Sequence, residues 1–326
     1  MYRKIIIFPI EIKSRDLLPR LQIASEFIKN GYQVIIGEQG AIHNNIESLP
    51  VGILFEKSLG RIKEKRFKKF IKLGHKICSL DEEGLSSIGN KHNYSRSRFT
   101  ENNLRLASKI FVWGNFEKKE IIKKFSKFKD KIIVSGHNKI SLWHENNEIF
   151  YKDEIRYIKK FQNYILISSN IGSYIHRENI DTIKNTWKKA GLRSNRSDIL
   201  RSDNYIKFSR FKFYKFKKMI EKLSKEFYEQ KIILRPHPSE NIKKWKNALS
   251  HLKNVFVIYK YDIGPWIMRS NVFIHSGCTT GLEAFFRRKF SISYLPQLKS
   301  VKFKNYQKHL SNKFSLILDS NSKIVK

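Results

Sequence analysis

Residues 4–10 of the chain, Lys4-Ile5-Ile6-Ile7-Phe8-Pro9-Ile10, form an apolar run with no polar alternation. A strand that is apolar on both faces is typical of a buried parallel sheet. The run is followed by an amphipathic segment, 15–30, and then by Gly31, which suits the position just after a helix. The opening of the chain therefore predicts a strand followed by a helix, the unit from which parallel sheets are built.

The same alternation recurs along the whole chain and predicts two sets of βα units. Strands are predicted at 4–10, 33–38, 52–56, 76–81, 109–114, 131–135, 164–169, 231–235, 255–259, 271–275, 290–295 and 314–318. Helices are predicted at 15–30, 61–73, 100–108, 116–128, 179–190, 210–229, 241–250 and 279–288. The polar region 171–206 is predicted to be a long surface loop around one helix.

The predicted fold is α/β, with two doubly wound Rossmann-like domains and a cleft between them. The chain has 326 residues, enough for two domains of ordinary size. The boundary is expected in the polar stretch 137–163, which gives an N-terminal domain at 1–145 and a C-terminal domain at 146–326. In such folds ligands bind outside the carboxyl ends of the strands.

Composition limits the class of protein. No apolar stretch approaches the length of a membrane span, and the first residues lack the small-residue cleavage site of a signal peptide. A cytoplasmic protein is therefore expected. Cys78 and Cys278 each lie in an apolar segment, which favours two buried free thiols. No Cys/His spacing predicts a metal site, and no cofactor is expected.

The formal net charge of +36 predicts attraction to polyanions. Contact with the anionic inner face of the cytoplasmic membrane is favoured over specific nucleic-acid binding, because no nucleic-acid-binding signature is present. The alternative is that the Lys, Ile, Asn and Phe bias only reflects AT-rich coding.

The stretch 232–238, Ile-Ile-Leu-Arg-Pro-His-Pro, places a constrained histidine at the end of a predicted strand. Two prolines restrict the backbone on either side of His237. The imidazole is a candidate for bonding a phosphate or a ribose, and Arg235 for charge-assisted contacts. The alternative is a surface turn with an incidental histidine.

A second predicted strand runs into 275–281, His-Ser-Gly-Cys-Thr-Thr-Gly, which opens a helix. The N–H groups of a helix start and the hydroxyls of Ser276, Thr279 and Thr280 predict a phosphate cradle. Glu283 lies three residues after Thr280, as in a capping box, and this cap is its alternative role.

Carboxylates follow two strands of the first half. Asp81, Glu82 and Glu83 come directly after the strand at 76–81, and Glu11 follows the first strand. Like charges packed together raise the pKa of at least one carboxyl group unless a cation or a ligand intervenes. If the strands are parallel, Glu11 and Asp81 share one sheet edge, which would suit glycosyl transfer. The alternatives are a solvated acidic turn and a helix N-terminal residue.

Two weaker candidates remain. Gly136, His137 and Asn138 follow a predicted strand and are candidate cleft residues, together with Glu82 and Glu83. The aromatic and basic residues of 208–218 allow two interpretations. They form either a surface that binds a membrane or an acceptor glycan, or an aromatic stripe that faces the core.

With these residues identified, the chain resembles the bacterial surface carbohydrate biosynthesis proteins, which are similar to retaining Kdo transferases of the GT-B fold. The resemblance rests on 8–11, 79–84, 235–238 and 275–284 and runs along most of the chain. The acidic stretch is the most specific motif, since the others also occur in sialyltransferase-like and glycerophosphotransferase-like GT-B proteins.

The resemblance implies a CMP-linked sugar acid as donor and co-substrate, and a glycan or lipid-linked glycan as acceptor. It implies Asp81 at the anomeric centre and Glu11 as acid/base, both on the acceptor side, with no metal. It implies that His237 and Pro238 hold the CMP and that Ser276, Thr279 and Thr280 contact its phosphate. Together with the motifs themselves, this predicts a set of nucleotide-binding residues: Arg235, His237, Pro238, His275, Ser276, Gly277, Thr279, Thr280 and Glu283. Gly136-His137-Asn138-Lys139 departs from the family's Gly-Asn-Pro-Arg-like turn.

Two other hypotheses stay open. One is a UDP-sugar epimerase or a CDP-glycerol transferase of the same fold, with which the His-Pro motif is compatible. The other is a non-enzymatic polyanion-binding protein, against which stands the even spread of basic residues along the chain.

Overall fold

The computed structural model of the protein describes residues 4–82, 84, 98–297, 306–321 and 323–324. These residues fall into two compact units. The first contains the described residues up to Leu142 and also Lys189–Leu192, and the second contains Trp143–Lys188 and the described residues from Arg193 onward.

The first unit is a six-stranded parallel sheet in the order β2-β1-β3-β4-β5-β6. Its strands are β1 Ile5–Ile10, β2 Gln33–Glu38, β3 Ile53–Glu56, β4 Lys76–Leu80, β5 Lys109–Val112 and β6 Ile132–Val134. Its helices are α1 Lys13–Lys29, α2 Gln39–Asn44, α3 Glu64–Lys72, α4 Glu101–Leu106, α5 Asn115–Ile122 and α6 Ile140–Trp143, the last of which ends in the second unit.

The second unit is another six-stranded parallel sheet, in the order β12-β11-β10-β7-β8-β9. Its strands are β7 Ile165–Ser168, β8 Ile232–Arg235, β9 Val255–Val257, β10 Val272–His275, β11 Ser291–Tyr294 and β12 Leu316–Leu318. Its helices are α7 Lys152–Ile158, α8 Ile180–Lys189, α9 Arg196–Glu226, α10 Ile242–Leu249, α11 Ile263–Arg269 and α12 Thr279–Phe286.

Burial explains why the apolar runs become strands. All six residues of β1 are buried, because helices cover both faces of the sheet. Two separate apolar clusters pack on opposite faces of each sheet. Cys78 and Cys278 are buried free thiols, as expected.

The predicted strands and the α/β class are confirmed, and the helix predicted at 179–190 within the polar region 171–206 is confirmed as α8. The prediction of a loop after it is wrong from Arg196 onward, where α9, a helix of 31 residues, begins. Asn195 caps α9, since its side chain accepts a hydrogen bond from the N–H of Asp198. The polar residues of 193–203 belong to the exposed start of a long helix, a pattern that composition alone does not separate from a loop.

The aromatic residues of 208–218 mainly form a core-facing stripe. Phe208, Phe213 and Phe216 are buried, whereas Tyr214 is 44% exposed. Phe216 packs against Tyr294 of β11, with ring centroids 5.2 Å apart. The stripe therefore joins α9 to the second sheet.

No helix among the described residues combines the length and the apolar character that crossing a bilayer requires.

Candidate functional site

The strand order of the second sheet identifies where a ligand is expected. The chain runs outward from β7 to β8 and β9, then returns to the other side of β7 with β10. Helices leave such a sheet toward opposite faces at this switch point, and the crevice between them is the usual ligand site of doubly wound folds. The two segments at this point are those that follow Ser168 and His275.

The segment after β10 turns sharply into α12. Gly277 has φ +69°, a conformation that favours glycine, and it directs the chain from strand into helix. Cys278 is the N-cap residue of α12, and its side chain does not cap the helix. The first N–H groups of α12 therefore remain available to an anion. Thr279 and Thr280, in the first turn, are half-buried.

Ser276 lies at the same point and is 3% exposed. Within the described part of the chain its Oγ has no hydrogen-bond partner. A buried hydroxyl without a partner costs free energy of desolvation, about 1–3 kcal/mol. An acceptor supplied by a ligand at this edge would remove that cost.

Lys212 of α9 joins the two segments at the switch point. Its Nζ donates to the carbonyl oxygen of Asn170 at 2.7 Å and to that of Ser276 at 3.2 Å. Burial lowers the pKa of Lys212 to about 8, against the opposing influence of Cys278 and Glu240. A buried cation thus lies directly beneath the turn that opens α12.

The segments after β7 and β8 are joined in a similar way by Glu240. Its carboxylate accepts hydrogen bonds from the Ser169 hydroxyl at 2.5 Å, the Ile171 N–H at 2.6 Å and the Trp245 indole at 2.7 Å. Burial raises the pKa of Glu240, although these donors oppose the rise. Three loops at the carboxyl edge are therefore fixed by two buried ionisable residues.

His237 lies in the segment after β8 and is half-buried, as is Pro238. Its Nδ1 accepts the N–H of Ser239 at 3.2 Å and lies 2.8 Å from the Ser239 hydroxyl. Because Nδ1 acts as an acceptor, the proton of the neutral ring lies on Nε2, which becomes the donor atom. The ring is thus held in one tautomer beside the switch point.

Arg235, the last residue of β8, binds backbone groups at the carboxyl edge of the second sheet. Its guanidinium donates to the carbonyl oxygens of Lys260 and Tyr261 and lies over the Trp266 ring, 5.6 Å from its centroid. Burial lowers the pKa of Arg235 to about 10. The side chain is 4% exposed, so it anchors the segment after β9.

The capping box predicted for Glu283 is wrong. The N-cap is Cys278, so Glu283 lies too far into α12 to reach back to it. Glu283 instead pairs with Arg287, one turn later, at 3.0 Å. His275 is fully buried and bonds Ser315 at 2.9 Å, and burial lowers its pKa to about 3, which keeps the ring neutral.

The first sheet has its own switch point, between β1 and β3. Glu11 follows β1 and Lys57 follows β3, and their side chains meet there, with Nζ 2.7 Å from Oε2. Lys57 also donates to Asp16 at 3.1 Å. The Glu11 side chain is 49% exposed, whereas those of Lys57 and Asp16 are buried. Glu11 is therefore the carboxylate of this trio that solvent reaches.

Asp16 stabilises the start of α1 within this cluster. Its Oδ2 accepts the N–H of Ile12 at 3.0 Å. Burial by itself would raise the pKa of Asp16, but Lys57, Arg15 and Lys139 together hold it well below its usual range. The carboxylate stays charged and keeps Lys57 in place.

Asp81 and Glu82 are buried, each beside a cation. Asp81 forms a two-point ion pair with Arg98, whose guanidinium also donates to the Lys57 carbonyl oxygen at 3.0 Å. Glu82 pairs with the fully buried Arg20 at 2.8 Å. Cations therefore intervene between these neighbouring carboxylates. Glu83 lies outside the described residues.

Gly136, His137 and Asn138 follow β6, which is the edge strand of the first sheet. Asn138 donates to Glu82 at 3.0 Å, and the His137 ring lies edge-on against Trp113. Burial, helped by Lys139, lowers the pKa of His137 to about 3. The segment after β6 thus contributes a hydrogen-bond donor to the buried carboxylate of Glu82.

Sequence reasoning missed several of these residues. Lys57 had a usable signal, since it directly follows a strand that neighbours β1 in a parallel sheet. Lys212 had none, because it is one of many lysines in a basic helical segment. Glu240 and Arg98 likewise become distinct only through their buried partners.

Comparison by sequence gives no relative, since neither a protein-family model nor a curated protein matches the chain. Comparison by structure does. The UDP-GlcNAc 2-epimerase of Neisseria meningitidis, solved with UDP-GlcNAc, superposes with a TM-score of 0.56 at 12% identity, over 99% of this chain and 89% of that one.

Two further structures are similar. The UDP-GlcNAc 2-epimerase of Methanocaldococcus jannaschii, solved with UDP-GlcNAc and UDP, gives a TM-score of 0.55 at 14% identity, over 99% of this chain and 91% of that one. The wall teichoic acid polymerase TagF gives 0.58 at 10% identity, over 99% and 78%. At such identities the likeness establishes the fold, which is of the GT-B type with two Rossmann-like units.

Proposed function

We propose that the protein is an enzyme acting on a sugar or polyol linked to a nucleoside diphosphate, such as a UDP-sugar or CDP-glycerol, in the synthesis of a bacterial surface glycan. The observation that carries the proposal is the uncapped start of α12, which lies at the switch point of the second sheet beside the unpartnered hydroxyl of Ser276. This combination suits the phosphates of a nucleotide.

A diphosphate is favoured over a monophosphate by the number of donors at this edge. The start of α12 offers several N–H groups, and Thr279 and Thr280 add hydroxyls. Lys212 adds positive charge beneath the turn. Structural neighbours solved with UDP-GlcNAc, or soaked with CDPG, agree with this choice. A CMP-linked Kdo donor is therefore the less favoured alternative.

Catalytic roles for Glu11 and Asp81 stay predictions, and the two differ in exposure. Glu11 is half-exposed and bonded to Lys57, so its carboxylate can reach a substrate. Asp81 is enclosed by its pair with Arg98. We therefore infer that Glu11 is the better candidate for moving a proton, and that Asp81 holds the segment that follows β4.

Nucleotide binding is tested by calorimetric titration with UDP, CDP, CMP, UDP-GlcNAc and CDP-glycerol. We expect the diphosphates to bind more tightly than CMP. Ser276→Ala should weaken UDP or CDP binding about tenfold, the loss of one hydrogen bond to a charged group. Ser250→Ala, at the exposed end of α10, is the matched control and should bind as the parent does.

Three results would count against the proposal. Tighter binding of CMP would restore the sugar-acid donor. If no nucleotide binds at millimolar concentration, the hypothesis of a non-enzymatic polyanion-binding protein is favoured instead. An unchanged affinity of Ser276→Ala for UDP or CDP would show that the phosphates do not bind at the start of α12.

Turnover tests the role of Glu11. Glu11→Gln should abolish conversion of the donor that binds best while its affinity and the melting temperature change little, because the side chain is half-exposed. Undiminished turnover in this variant would exclude Glu11 as the acid/base.

A further inference from the structure

An apolar and basic surface lies at the opposite edge of the second sheet from the candidate nucleotide site. Phe285 lies in the last turn of α12, Phe290 precedes β11, and Phe314 precedes β12. Since α12 starts at the carboxyl edge of the sheet, its last turn lies toward the amino edge, where β11 and β12 begin. We call Phe285, Phe290, Phe314, Leu316 and Ile317 the amino-edge surface.

These five side chains are unusually exposed for their type, with exposed fractions between 42% and 62%. Two of them are direct neighbours, because the ring centroids of Phe285 and Phe314 lie 4.3 Å apart, and Leu316 and Ile317 follow Phe314 closely in the chain on the two faces of β12. Among the strands of the described residues, β12 lies at the edge of the sheet and pairs with β11 alone. A contiguous group of large exposed apolar side chains marks a binding surface.

The charges beside the surface are mainly positive. Residues 284–297 and 306–318 contain five lysines and arginines and no aspartate or glutamate. Arg288 and Lys313, which flank the phenylalanines, are exposed. Of the nearest carboxylates along the chain, Glu283 is buried and paired with Arg287, and Asp319, which follows β12 at its carboxyl end, pairs with Lys323 at 3.0 Å. The partner must therefore accept both aromatic side chains and positive charge.

We propose that the amino-edge surface binds the surface of an anionic lipid bilayer. Phenylalanine side chains enter the region between headgroups and acyl chains, and lysine and arginine are attracted to anionic headgroups. A second copy of the chain fits less well, because a symmetric contact would bring the same cations against each other. Docking through this edge leaves the carboxyl edge of the same sheet uncovered. The inference does not rest on the proposed enzymatic function.

Vesicle co-sedimentation tests the proposal. The parent protein should sediment with vesicles of phosphatidylglycerol and phosphatidylcholine, less so at high salt, and weakly with phosphatidylcholine alone. Substituting Phe285, Phe290 and Phe314 together by serine should lower the partition constant at least tenfold. Substituting Arg288, Lys289 and Lys313 by glutamine should lower it about fivefold per residue and reduce the salt dependence.

A matched triple variant controls for the loss of exposed apolar area. Ile28→Ser, Leu200→Ser and Tyr228→Ser change three side chains that are at least as exposed but lie elsewhere. This variant should bind vesicles as the parent does. Circular dichroism and nucleotide affinity, unchanged in all variants, would show that each is folded.

Equal loss in the control variant, or parental binding by the phenylalanine variant, would overturn the proposal. So would failure of the parent to bind anionic vesicles. A concentration-dependent dimer that the phenylalanine variant abolishes would assign the surface to a second copy instead.

Discussion

Replacing Lys212 by methionine should change how stability depends on pH. The parent carries a buried ammonium group whose pKa burial lowers from 10.5 to about 8. Below pH 8 the group is charged in both the folded and the unfolded protein. Between pH 8 and 10.5 the folded protein releases the proton first, so its stability rises with pH.

The magnitude follows from the two pKa values. One pKa unit corresponds to about 1.4 kcal/mol, and most of the shift from 10.5 to about 8 is sampled between about pH 7.5 and 9.5. The free energy of unfolding of the parent should therefore gain about 2 kcal/mol over the variant across this range. The constant cost of losing two hydrogen bonds does not enter this difference.

Urea unfolding at a series of pH values measures the effect. Tryptophan fluorescence suits the assay, because four of the five tryptophans lie in the second unit with Lys212. Parallel curves for parent and variant over this range would refute the buried, loop-bridging position of the amine. Lys215→Met, three residues along the same helix, is the control and should run parallel to the parent.

Three further outcomes are expected. Asp81→Asn should cost roughly 3 kcal/mol or more of stability in urea, because it leaves Arg98 largely buried without its carboxylate; a loss under ~0.5 kcal/mol would contradict the pair. Phe216→Ala should cost about 3–5 kcal/mol, as expected for a fully buried ring, and a near-neutral result would remove the aromatic stripe from the core. Burial alone would raise the pKa of Glu56, but His43 and Lys63 lower it to about 2. The free energy of unfolding of the parent, relative to that of Glu56→Gln, should therefore fall by about 2 kcal/mol between about pH 5 and 3. A difference between the two proteins that stays constant over this range would exclude the lowered pKa.

Much of the fold followed from local pattern. Short runs rich in β-branched residues, such as Ile5-Ile6-Ile7-Phe8, favour a strand that is covered on both faces. The spacing between such runs leaves room for one helix between successive strands. The start of α12 was also predictable, because glycine and hydroxyl residues after an apolar strand have a local preference for a turn into a helix. The region 193–203 was not, since polar residues on an exposed helix resemble those of a loop.

The amino-acid sequence by itself determined the parallel α/β class, the twelve predicted strands and the position of the turn that opens α12, because periodicity and turn preference act between neighbours in the chain. Only the tertiary structure decided strand order, and with it the meeting of Glu11 with Lys57 and of Lys212 with the turn at Ser276. It also decided that Asp81 is enclosed by Arg98 while Glu11 stays half-exposed. Such differences in burial arise from contacts between distant segments, and burial sets which charges are structural and which can meet a ligand.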